Sequence, residues 1–180
     1  KVIAGCMVSW LVMCGLRSGL IKDDLLAKDA PKLSGLLDFV SLGTVADAVS
    51  LACPVNRAVV RAGLMIMNQL KRPSWQAMQK LLKRIGDDYR HNIFEVDDLG
   101  FQIGPRINAR SRMTEPFAAL DYLLASDSNK AYKALEVLDK NNQERKLCEK
   151  EMLLIAHQQA KAQVAAGRHS LVIFDKSFHM

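Results

Sequence analysis

Two short strings about sixty residues apart carry the side chains most able to do chemistry together: Leu42-Gly-Thr-Val-Ala-Asp47 and Gly104-Pro-Arg-Ile-Asn-Ala-Arg-Ser-Arg-Met113. The first ends an apolar run on one carboxylate. Asp47 cannot be buried cheaply as an unpaired ion, so it needs a cation, a hydrogen-bonded partner or water. A hard divalent ion such as Mg²⁺ or Mn²⁺ takes carboxylate oxygen readily; a turn or cap aspartate is the plainer alternative. The second string packs Arg106, Arg110 and Arg112 into seven residues, with no acid between Asp98 and Glu115. Each guanidinium offers a planar fork to phosphate oxygens, and Asn108 can reach a phosphate, a sugar or a base edge. In an extended segment Arg106, Asn108, Arg110 and Arg112 would fall on one side. A solvated basic loop is the alternative here. Taken together, the strings suggest metal-dependent cleavage of a nucleic acid.

Other chemistries find little support. His91, His157, His169 and His179 are scattered, and no pair has metal-ligand spacing on one helix face. The Walker-type phosphate loop, the Gly-x-Ser-x-Gly elbow and the dinucleotide fingerprint are all missing. Cys6, Cys14, Cys53 and Cys148 form no Cys-x-x-Cys pair and sit in or beside apolar sequence. They read as buried reduced thiols of a cytoplasmic protein rather than zinc ligands. The net charge of +6 and pI of about 9.2 permit an anionic partner without demanding one.

The elements that must position these residues are mostly helical. The pattern predicts an apolar helix over 2–20 and a 3.6-residue rhythm over 32–42 that breaks at Gly43. A helix opened by Pro54 follows to about Leu70, then an amphipathic helix over 74–85. That helix turns Trp75, Met78, Leu81, Leu82 and Ile85 inward and Lys80, Lys83 and Arg84 to water. A short helix over 95–103 is expected to stop at a turn forced by Gly104-Pro105. Another runs from Glu115-Pro116 to Leu124. Residues 130–166 contain neither Gly nor Pro and predict one long helix, capped near Ser126–Asn129 and ended by Gly167. Its stripe Leu135, Leu138, Asn142, Arg145, Glu149, Met152 turns polar midway, as a helix leaving a core or supporting a neighbouring site would. Residues 170–174 predict a strand. The uncharged stretch 2–16 reaches only about 22 Å as a helix, short of a bilayer core of about 30 Å, and predicts a buried helix rather than a membrane span. A first residue that is not Met, and a strand-like end, are expected of an internal piece of a longer protein.

Several strings match a known pattern in order. Asp38-Phe-Val-Ser-Leu-Gly-Thr-Val-Ala-Asp47, then Asn56-Arg57 and Gly63-Leu64, resemble the L-D-L-V-A-L-G-T-V-A-D, N-R and G-L strings of the RecJ family of DHH phosphoesterases. Leu99-Gly-Phe-Gln-Ile-Gly-Pro-Arg-Ile-Asn-Ala109 resembles the family's L-G-F-x-L-G-P-R-I-N-A. Leu138-Asp-Lys-Asn-Asn-Gln-Glu-Arg145 resembles its L-x-x-x-N-x-E-R helix. Ala4-Gly5 with Trp10 looks like a helix start of that family, and residues 171–179 look like the first strand of its DHHA1 domain.

The resemblance implies a mainly α portion of an α/β DHH-type phosphoesterase. Residues 1–125 would be the C-terminal part of a DHH domain, 126–168 a connecting helix and 169–180 the start of DHHA1. It implies a 5′–3′ exonuclease that degrades single-stranded DNA to mononucleotides in repair or recombination, using Mn²⁺ or Mg²⁺. Asp47 inherits a metal-ligand role, and Arg106, Asn108 and Arg112 inherit DNA contacts, with Arg110 beside them. Repair or replication proteins are the implied partners. The family's Asp-rich and Asp-His-His motifs are not in this sequence, so the chain alone is expected to be inactive. Met7 stands for a glycine, Arg110-Ser111 for Ala-Gly and Ser50 for a proline. Two alternatives stay open: a DHH phosphodiesterase acting on short oligonucleotides or cyclic dinucleotides, and a non-catalytic RecJ-like replication scaffold.

Overall fold

The computed structural model describes residues 2–85, 93–109 and 117–178, the side chain of Ile85 excepted. The described elements are α1 (Gly5–Lys22), a 3₁₀ turn (Leu33–Leu36), α2 (Leu37–Ala46), α3 (Pro54–Met67), α4 (Pro73–Ile85), a π-helical turn (Asp98–Ile103), α5 (Gly104–Ala109), α6 (Ala118–Leu123) and α7 (Ser128–Ala165). No helix is long and apolar enough to cross a membrane among the described residues.

The core forms where α2, α3, α4 and α6 and the first three turns of α7 meet. Trp75, Met78, Leu81 and Leu82 of α4 are buried as their spacing predicts, against Met67, Leu99, Ile103, Tyr122, Leu135 and Leu138. Two polar ties thread this apolar mass. Asp38, in the first turn of α2, is fully buried. It accepts hydrogen bonds from Trp75 Nε1 (2.8 Å), Arg72 Nε (2.6 Å) and the Phe39 amide (3.0 Å). The Tyr122 hydroxyl donates to the Ser74 carbonyl at 2.7 Å. Burial pushes the Tyr122 hydroxyl's pKa far up, against a smaller downward pull from Arg106.

Close helix contacts explain Gly63 and Gly43. A Cβ on Gly63 of α3 would overlap the Leu37 carbonyl and the Ser41 side chain of α2. A Cβ on Gly43 would stand 2.6 Å from the Cys6 sulfur of α1. Gly43 therefore does not end the helix. It continues to Ala46, and Thr44 satisfies its hydroxyl on the Val40 carbonyl at 2.7 Å.

Four further expectations are corrected. Gly104-Pro105 forces no turn: Gly104 keeps helical dihedrals with its amide on the Leu99 carbonyl, and the π-turn runs straight into α5 through Pro105. Residues 170–174 form no strand. They lie extended along α7, with Gln163 bonding both the N–H and the C=O of Val172, and Gln159 both those of Phe174. The described chain offers side-chain amides there rather than a second strand. The helix α1 is not buried as a whole: Met7 is its buried residue, while Val8, Leu11, Val12, Met13 and Leu16 are exposed. The four cysteines are free thiols but only half-buried.

Candidate nucleic-acid and metal-binding site

The end of α2 sets the position of Asp47. The helix closes with the Ala48 amide on the Val45 carbonyl (2.9 Å) and the Val49 amide on the Thr44 carbonyl (3.3 Å). This is the paired closure of a Schellman motif. It places Ala48 in the left-handed region, φ 52°, where glycine is the usual occupant. Asp47 itself is the capping residue and is exposed. Its carboxylate has no hydrogen bond or ion pair among the described residues. The C-terminus of a helix carries partial negative charge, so an acid there repels the helix's own carbonyls and favours a cation nearby. The first turn of α1 lies alongside, for burial and then the Asp47 charge push the Cys6 thiol's pKa up.

The Gly-Pro-Arg string lies against that helix end. A Cβ on Gly104 would be 3.4 Å from the Ala46 Cβ, and one on Gly100 would be 3.4 Å from the Val45 methyl. Both glycines thus face the last turn of α2 at ordinary packing distance, while the closest approach at Gly104 is to the Leu99 carbonyl of its own π-turn, 2.9 Å from a Cβ. The two strings that the sequence separates by about sixty residues meet within two residues of Asp47 on one side and of Arg106 on the other.

The arginine string does not have the expected extended form. Residues 104–109 are helical, so Arg106 and Asn108 point different ways: Asn108 is exposed, Arg106 is 4% exposed. Arg106 Nε donates to Asp139 Oδ1 of α7 at 2.8 Å, and its Nη1 donates to the Gln102 carbonyl at 2.7 Å. Gln143 Nε2 donates to the other Asp139 oxygen at 2.9 Å. Arg106 is therefore spent on fastening α5 to α7, rather than held out as a free fork. Arg110 and Arg112 lie outside the described residues.

Asp139 and Gln143 had no assigned role in the sequence, although Asp139 lies inside a recognisable string. Nothing local marks it, since its partner is 33 residues away. The polar middle of the α7 stripe is thereby accounted for in part. Asn142 is buried and accepts from Arg145 Nη2 at 3.2 Å, and Arg145 pairs with Glu149.

A metal held here would find in Asp47 an exposed oxygen donor among the described residues. They contain no group of three or more His, Cys, Asp or Glu side chains able to enclose an ion. An exposed, uncommitted oxygen donor fits a hard cation as one member of a set.

No family model matches the chain. Three similar proteins are all single-stranded-DNA-specific exonucleases RecJ. That of Dickeya dadantii is 34% identical over 150 residues, 81% of this chain and 25% of the relative. That of Haemophilus influenzae is 35% identical over 158 residues (87% and 26%), and that of Escherichia coli is 33% identical over 162 residues (87% and 27%). Among solved structures, RecJ of Thermus thermophilus in complex with Mg²⁺ superposes with a TM-score of 0.61 at 30% identity, covering 72% of this chain and 20% of that one. Exonuclease RecJ bound to manganese gives 0.57 at 30% identity, with 69% and 30% covered. The chain spans about a quarter of the length of the curated relatives it matches. With relatives at this identity across most of its length, and their structures sharing its helical arrangement, the chain belongs to the RecJ family.

Proposed function

We propose that the protein carrying this chain is a metal-dependent 5′–3′ exonuclease that removes mononucleotides from single-stranded DNA in repair or recombination. Asp47 supplies one oxygen ligand to Mn²⁺ or Mg²⁺, with the remaining ligands outside the described residues. When bound, such an ion supplies activation of water and stabilisation of the leaving oxygen. Asn108, Arg110 and Arg112 contact the DNA, and Arg106 supports the site by anchoring α5 to α7. Residues 1–125 belong to a DHH domain, 126–168 connect it onward, and 169–180 begin DHHA1.

The observation that carries this proposal is the packing of α5 on α2, with Gly104 facing Ala46. It sets an uncommitted carboxylate beside the string that family likeness associates with DNA. The test is cleavage of 5′-labelled single-stranded DNA in Mn²⁺ by the protein carrying this chain. Asp47→Ala is expected to lower the rate by at least about 100-fold, in the range of lost electrostatic stabilisation at a reacting centre, with its melting temperature no lower than wild type, since an acid leaves the C-terminus of α2. Equal turnover of variant and wild type would reject Asp47 as a ligand.

A further inference from the structure

A second basic surface lies between α4 and the start of α7, and Asp47 does not line it. Here a pocket of about 390 Å³ is lined by Gln76, Lys80, Asn129, Tyr132, Lys133 and Glu136 among others. Its α7 residues run from Ser128 to Glu136 and stop one turn short of Asp139, the Arg106 partner, which does not line it. Its charge is not balanced. Arg84 pairs with Glu136 and Lys130 with Asp127, whereas Lys80 and Lys133 have no carboxylate partner among the described residues. Nor is Lys80 a freely waving surface lysine. Its ammonium rests 4.6 Å from the centre of the Tyr132 ring, with Arg84 at 5.8 Å from the same ring. Cation–π contact restrains the side chain without neutralising it, which lowers the entropy that an incoming anion would otherwise have to offset. Tyr132 is half-buried and already covered by cations, so its ring aims charge rather than stacking a base.

We propose that this pocket is a non-catalytic contact for the phosphodiester backbone of single-stranded nucleic acid, with Lys80 and Lys133 each meeting a phosphate and Asn129 offering an amide beside them, while Gln76 is held to the Leu70 carbonyl and the Ser128 hydroxyl as part of the wall. It rests on the nuclease reading for its choice of partner. Its role would be to hold a strand at a second place while the end is processed at Asp47.

Binding of a fluorescent oligothymidylate of about 30 nucleotides, longer than usual site sizes, is measured on the 180-residue chain in EDTA across a salt series. Lys80→Gln/Lys133→Gln is expected to weaken binding about tenfold near 0.1 M salt. It should also flatten the log–log salt slope by about 1.4, two phosphates at roughly 0.7 each for a single strand. Both positions are exposed, so the variant keeps a cooperative thermal melt, lowered only by loss of the Lys80–Tyr132 contact. The control pair Lys22→Gln/Lys161→Gln should leave affinity and slope as in wild type. An unaltered slope in the pocket variant, an equal loss in the control pair, displacement by polyglutamate as effective as by DNA, or no binding by the wild-type chain would each overturn the proposal. Asp47→Ala is expected to bind normally in EDTA. Loss of cleavage in that variant with an unaltered pocket variant would leave the nuclease reading standing without this site.

Discussion

At the scale of single residues, burial divides the candidate site into groups that act on solvent and groups that hold the frame. Asp47 is exposed and uncommitted, while Arg106 is enclosed with Asp139 at 2.8 Å. A buried pair is a weak source of net stability, but removing one member strands the other. Asp139→Ala is therefore expected to cost about 3–5 kcal/mol, with Asp139→Asn losing less because an acceptor remains for Arg106 Nε. Urea midpoints of the two variants measure the difference, and equal midpoints would show that the pair is not an enclosed charge contact. Asp47 was legible in the sequence because an acid closing an apolar run is a local anomaly. The enclosure of Arg106 was not, because an arginine cluster without local acids looks the same whether its partner is solvent, phosphate or a carboxylate 33 residues on.

At the scale of elements, small residues decide how closely the helices approach. Gly63→Ala should force α3 away from the Leu37 carbonyl, at a cost of roughly 1–3 kcal/mol as in other overpacked contacts. Gly15→Ala meets open space on an exposed face of α1 and should stabilise by about 0.5–1 kcal/mol. Thermal melts of the two variants should move in opposite directions; a loss in both would place α1 against something that its exposed face does not show. Ala48→Gly should also stabilise, by about 1 kcal/mol, by relieving a left-handed alanine at the closure of α2. Melting of that variant at or below wild type would contradict the closure described. The helices over 54–67, 73–85 and 128–165 were readable from period, proline and the Asp127 cap, which accepts from the Asn129 and Lys130 amides. The helical form of Gly104–Ala109 was not, since Gly-Pro is turn punctuation until a neighbouring helix end makes room for it. Nor was the state of residues 170–174, since a β-rich string specifies a strand only where a second strand can pair with it.

At the scale of the whole molecule, one core joins α2 to α7, and apolar residues remain exposed at both ends of the chain. Leu11, Val12 and Leu16 on α1 and Leu147, Leu153 and Leu154 on α7 are exposed, and the buried residues of α7 end at Asn142. Core membership was legible from the 3.6-residue pattern. Exposure of α1 was not, because its stretch is apolar on every side and carries no sign of which face meets protein. The meeting of Asp47 with the Gly-Pro-Arg helix is likewise a property of the assembled core, since α2 and α5 are brought together by packing that neither string specifies alone. Its most direct test is a Mn²⁺ titration of the isotopically labelled chain, read as paramagnetic broadening of backbone amides. The account predicts that the amides of Ala46, Asp47, Cys6 and Gly104 broaden first and together, and that Asp47→Asn abolishes the effect. Broadening confined to other carboxylates such as Glu144 or Glu149, or unchanged by Asp47→Asn, would contradict it.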